Sequence, residues 1–167
     1  MLGVSRYELL RVESGTSPLT DAVFPRRAGP RHVRIGVAGG RLKPSSGYAF
    51  TRIVEDAEAI TRSLVRHGHP FDHLPESNEA FRLLDGLFLR VMRREPGRMK
   101  HVFTRLFDRN PPTRVFRFLD ERVGLEDIVA LGSSLPPGPF ARALASSQKL
   151  KLIRAVSRLK DPIPYEA

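Results

Sequence analysis

Between Gly36 and Tyr48 the chain reads Gly-Val-Ala-Gly-Gly-Arg-Leu-Lys-Pro-Ser-Ser-Gly-Tyr and runs straight into a helical pattern. Glycines let a backbone take positive φ and let a ligand approach closely. Pro44 fixes φ just ahead of the helix. The first turn of a helix offers unpaired N–H groups and a partial positive charge. Lys43 adds a cation at the same place. Such a junction suits a phosphate, or the electron-rich edge of a flavin ring. It is neither the Gly-x-Gly-x-x-Gly dinucleotide fingerprint nor a Walker loop, because Lys43 precedes proline.

Other residues with chemical potential carry less. Glu13 is the nearest carboxylate in sequence, and an exposed strand-end glutamate is its ordinary role. His67, His69 and His73 surround a helix stop at Gly68 and Pro70, where imidazoles favour the helix dipole. A metal site needs convergent ligands, so no metal is assigned. Arg90, Arg93, Arg94, Arg98, Lys100, Arg105 and Arg109 read as a solvated basic face. A peripheral membrane contact is the second role for that face.

The elements around the junction follow from periodicity. Tyr7 to Glu13 and His32 to Val37 alternate polar and apolar residues, which predicts two short strands. Ala49, Ile53, Ala57, Ile60 and Leu64 share a helical stripe, capped by Ser45 or Ser46. Helical patterns follow over 78–94, 98–109, 113–122 and 124–131. A Ser133 to Pro139 loop leads to one or two basic helices over 140–159. The expected fold class is α+β and mostly helical. Short N-terminal antiparallel strands lead to a helix after the Gly-rich turn, then to a C-terminal helical bundle. The expected division is 1–70 and 71–167.

Bulk properties set limits. The chain has 167 residues, 41% of them hydrophobic, which is enough for one core. The net charge of +10 admits nucleic acid, an anionic membrane surface or an anionic ligand. No zinc motif, RNP stretch or helix-turn-helix supports nucleic acid. There is no cysteine, which excludes thiolate sites. No apolar run reaches the roughly 18 residues of a membrane span. Met1 to Leu10 lacks the apolar region of a signal peptide. The expected location is cytoplasmic, possible contact with the membrane being peripheral.

The stretch Gly36, Ala38, Gly39, Gly40, Lys43, Pro44, Ser45, Ser46, Gly47, Tyr48, Phe50, Arg52 and Ile53 resembles the FAD-dependent lycopene cyclase family. That family has Gly-x-Ala-Gly-Gly-x-x-Lys-Pro-Ser-(Ser/Thr)-Gly-Tyr-x-Phe-x-Arg-Ile. Leu87 to Arg94 and Leu106 to Asp120 resemble its helical tail, and the likeness spans roughly 7 to 135. It implies a partial FAD/NAD(P)-binding flavoprotein fold and a role in carotenoid biosynthesis. The implied reaction closes β-ionone rings on lycopene through an acid-initiated, flavin-assisted carbocation. The implied cofactor site runs from Gly36 to Tyr48, with the amides of Ser46, Gly47 and Tyr48 facing the isoalloxazine ring. Val37 stands where related flavoproteins place Asp. The family's N-terminal half, with the dinucleotide fingerprint and the acidic motif, has no counterpart here. The resemblance therefore implies the C-terminal part alone, weak or absent FAD binding, inactivity in isolation and no assignable catalytic acid. Without its sheet, Val33, Ile35, Ile53 and Ile60 are expected to lack cover. Alternative functions are a non-catalytic basic helical module that binds a membrane or a partner protein, and another flavin-dependent isoprenoid oxidoreductase.

Overall fold

The computed structural model describes residues 6–145 and 149–159, and among these it is helical. The helices are α1 (Phe50–His67), α2 (Glu79–Arg94), α3 (Met99–Asp108), α4 (Pro112–Leu119), α5 (Leu125–Ser134), α6 (Pro137–Ala145) and α7 (Lys149–Val156). Their ends follow local chemistry. The Asn78 side chain caps α2 by accepting from the Ala80 amide at 2.9 Å. Glu79 in the first turn and Arg93 and Arg94 in the last complement its dipole. Pro112 opens α4 at a position that needs no amide. Gly68, at φ 69°, closes α1 by donating to the Leu64 carbonyl.

The core gathers where the helical periods of α2 to α5 converge. Phe81, Phe88, Val102, Leu106, Val115, Phe118, Val123, Leu131 and Leu135 form one cluster. Phe140 of α6 meets Phe88 edge to face at 5.1 Å. Each large side chain buried here contributes about 1.5–3 kcal/mol. The expected loop over 133–139 is much shorter, because α5 runs to Ser134 and α6 starts at Pro137.

The expected antiparallel strands and the partial FAD/NAD(P)-binding fold do not form. Among the described residues, extended pairing is confined to one isolated bridge, Arg27 with Val33. It is closed by Ala28 N to His32 O at 2.9 Å and Arg34 N to Arg26 O at 2.8 Å. Pro25 and Pro30 remove donors on either side of it, so the ladder does not extend. Beyond it, Gly36 at φ 54° turns the chain into a 3-10 helix, Gly36–Gly39. Residues 7–13 have alternation but no neighbour, and Tyr7, Leu10 and Val12 face solvent. Alternation specifies a strand only when another backbone supplies the ladder.

α1 is turned relative to its apolar stripe. It buries Arg52, Asp56, Ala59 and Ser63. Phe50, Ile53, Val54, Leu64 and Val65 point outward, Val65 with 81% exposure. Ile35 is exposed, as expected, while Val33 and Ile60 are half-buried.

Candidate cofactor-facing turn

The backbone from Ile35 to Tyr48 makes two closed turns. In the first, Gly39 N donates to Ile35 O, Gly40 N to Val37 O and Arg41 N to Gly36 O, all at 2.9–3.0 Å. Gly40 sits at φ 69°, in the left-handed region that favours glycine. A side chain on Gly39 would place its Cβ 2.4 Å from the Arg34 carbonyl oxygen. In the second turn Lys43 N donates to Tyr48 O at 2.7 Å and Gly47 N to Lys43 O at 2.8 Å. Ser46 N also reaches Lys43 O, and Tyr48 N reaches Ser46 Oγ, both at 3.3 Å. The three amides expected to face a ring are thus engaged inside the turn. Ala49 is the N-cap of α1, and neither serine caps that helix.

The side chains of the turn point into the helical layer. Lys43 is fully buried. Its ammonium lies 3.1 Å from Asp85 Oδ1, 3.3 Å from Asp85 Oδ2 and 3.3 Å from Glu121 Oε1. The rings of Phe118 and Phe81 lie 5.0 and 5.5 Å from it. Ser45 Oγ donates to Asp85 Oδ1 at 2.5 Å. Glu121 also pairs with Arg52 of α1. A buried ammonium is tolerated only with such partners.

A second cluster surrounds Asp56, the most buried carboxylate of α1. Arg26 Nη2 reaches both its oxygens at 2.7 Å. Arg41 Nε lies 3.6 Å away and also donates to the Arg52 carbonyl at 3.3 Å. Its Nη1 donates to the Pro75 carbonyl at 3.0 Å. Burial lowers the Arg41 pKa from its ordinary value, and the Asp56 charge opposes that shift. α1 is therefore seated on its own chain by charge: Arg26 and Arg41 on Asp56, Glu121 on Arg52, and Arg122 on Glu55 at 2.9 Å.

A cleft of about 490 Å³ runs along the turn. Gly39, Gly40, Leu42 and Pro44 form one wall, and Phe24 and Leu83 contribute to its lining. The turn shows the cleft glycine backbone, Val37, Leu42, Pro44 and Arg41, while its lysine and Ser45 face the helices; Asp21, Arg26, Glu76 and Arg82 bring charge to the other walls.

A family model described as Lycopene cyclase protein matches residues 1–145, which include the turn, both ion clusters and the helices that hold them. The chain belongs to the lycopene cyclase family. That family acts in carotenoid biosynthesis and is generally flavin-associated. No curated protein and no solved structure matches the chain.

The family motif thus has two sides in this chain. Gly36, Gly39, Gly40 and Gly47 shape the backbone, and Pro44 lines the cleft. Lys43 and Ser45 anchor the turn from behind. Ala38 and Ser46 are exposed, and the Tyr48 hydroxyl bonds to Thr51 Oγ1 at 3.1 Å. Asp85 and Glu121 are partners of the motif lysine that pattern reasoning missed. Asp85 was marked by its place, four residues after Phe81 and three before Phe88 on the apolar face of α2. A lone carboxylate there requires a buried cation. Glu13 pairs with Arg11 at 2.8 Å in solvent. Among the described residues no group of three or more potential ligands converges on a metal position. His67 instead lies 3.1 Å from Asp72 beyond the end of α1. Among the same residues no helix is long and apolar enough to cross a membrane.

Proposed function

We propose that the turn from Gly36 to Tyr48 is one wall of the flavin site of a lycopene cyclase, and that a dinucleotide-binding half outside this chain completes it. The observation carrying this reading is the cleft laid against the family motif, with a wall of glycine backbone, Leu42 and Pro44. The opposite walls carry charged side chains, among them Asp21, Arg26, Glu76 and Arg82, so the cleft offers an apolar face for a ring and polar groups for its edge. A volume of about 490 Å³ lies low in the range of roughly 300–1,000 Å³ for small-molecule sites. It suits the isoalloxazine end of FAD and not the whole dinucleotide. The residues present therefore fit the ring, with Gly39, Gly40, Leu42 and Pro44 nearest to it and Gly36, Ala38, Lys43, Ser45, Ser46, Gly47 and Tyr48 holding the shape.

When bound, the flavin supplies negative electrostatic potential beside a polyene cation. The role of this chain is to orient the ring and to exclude water from one face. The substrate class is linear lycopene, whose ends close to β-ionone rings once a terminal double bond is protonated. No residue of this chain is assigned as the acid for that step.

The experiment is FAD titration by fluorescence quenching. The chain alone is expected to bind more weakly than micromolar. Joined to a family N-terminal half bearing Gly-x-Gly-x-x-Gly, it is expected to retain FAD and to convert lycopene. Micromolar or tighter binding by the chain alone overturns the half-site. A joined protein that folds without retaining FAD overturns the flavin.

A further inference from the structure

We infer that Asp85 and Glu121 are positioning residues for the cleft-facing turn, acting through Lys43 and Ser45. The inference rests on the flavin reading only for what the turn receives; the latch itself stands on geometry. Lys43 and Ser45 flank Pro44, and both side chains leave the backbone on the helical side. Asp85 takes both at once, with one oxygen shared by the serine hydroxyl and the ammonium. Two residues of the turn are thereby tied to one turn of α2, some 40 positions downstream.

Glu121 supplies the other half. Its φ of 60° lies in the left-handed region, where a non-glycine residue is uncommon. That backbone lets three consecutive side chains at the end of α4 all meet α1 or the turn. Asp120 accepts from Thr51 Oγ1 at 2.6 Å, Glu121 takes Lys43 and Arg52, and Arg122 takes Glu55. A glycine would suit the backbone better and could not make the contacts. The side chain of Glu121 therefore has a job at this position, which is to hold the turn against the first turn of α1.

The test is amide hydrogen exchange on the full chain without flavin, comparing the wild type with Glu121→Gln, Ser45→Ala and Ser45→Thr. The amides of Lys43 and Gly47 report the turn; those of Val102 and Val115 report the bundle. In Glu121→Gln the turn amides are expected to exchange at least tenfold faster, while bundle amides change less than threefold. Ser45→Ala is expected to give the same selective loss to a smaller degree, and Ser45→Thr to restore protection. Should Glu121→Gln fail to fold, the serine pair carries the test. Unchanged turn amides overturn the latch, as does an equal loss at turn and bundle. These readings need no cofactor, so a failed flavin titration leaves them standing. Wild-type FAD retention by the joined protein carrying Glu121→Gln, with the turn measurably unlocked, overturns the positioning role.

Discussion

The Lys43 ammonium lies 3.1 Å from Asp85 Oδ1, and neither side chain has more than 1% exposure. A motif lysine that sequence alone places beside a ligand is thus half of a buried ion pair. Removing one partner leaves the other charged and dry. Lys43→Met is expected to cost about 3–5 kcal/mol, measured by urea unfolding. The double change Lys43→Met, Asp85→Leu is expected to recover part of that loss, because the two apolar groups need no compensation while Ser45 loses its acceptor and Glu121 keeps only Arg52. A double variant no more stable than the single one refutes the pairing.

Two glycines with opposite surroundings make a paired test. Gly39→Ala puts a Cβ 2.4 Å from the Arg34 carbonyl and must move backbone. A loss of more than ~1 kcal/mol is expected. Gly132 lies within α5 with open space around it. There the same change is expected to stabilise by ~0.5–1 kcal/mol, since alanine restricts the unfolded chain and favours helix. Thermal unfolding of the two variants checks both signs.

Glu95, at the end of α2, accepts a hydrogen bond from Arg142 of α6. That bond, together with the charges of Arg142 and Arg98, holds its carboxyl below the ordinary glutamate range. A depressed folded pKa stabilises the ionised form. The contribution is therefore complete above the ordinary range and is lost as pH falls through the lowered value. Carboxyl-carbon NMR is expected to give a Glu95 midpoint below that of model peptides, moving upward in Arg142→Ala. A midpoint at the ordinary value in the wild type contradicts the contact.

The outward face of α1 predicts adhesion. Phe50 is 72% exposed and Val65 81%. Contiguous apolar surface of this kind promotes association. Phe50→Ser with Val65→Glu is expected to shift sedimentation toward monomer and to leave helical circular dichroism unchanged. Equal association in both proteins would place the adhesive surface elsewhere.

The helices were legible because their cores are apolar. Phe81, Phe88 and Val91 mark α2, and Val102 with Leu106 marks α3. The face of α1 was not legible. Periodicity seats Ile53 and Leu64 inward, whereas four buried residues on the other side, Arg52, Asp56, Ala59 and Ser63, are drawn in by salt bridges, hydrogen bonds and packing. The strands were misjudged for a related reason. Alternation at 7–13 shows a capacity to pair, and pairing also needs a neighbour. Within the turn, glycine and proline positions announced the bend. The direction of the Lys43 side chain depended on Asp85 and Glu121, which are distant in sequence and carry no motif of their own.

The reversed seating of α1 has a consequence for solution conditions. Ions screen exposed charges over about 8–10 Å, yet reach buried pairs poorly. Asp56, with 3% of its side chain exposed, is such a case. Excluded salts such as sulfate strengthen contact between apolar surfaces. Added sulfate therefore leaves the grip of α1 on its own chain nearly constant while making its outer face more adhesive. Ionic composition becomes a handle on self-assembly that works without loosening the fold.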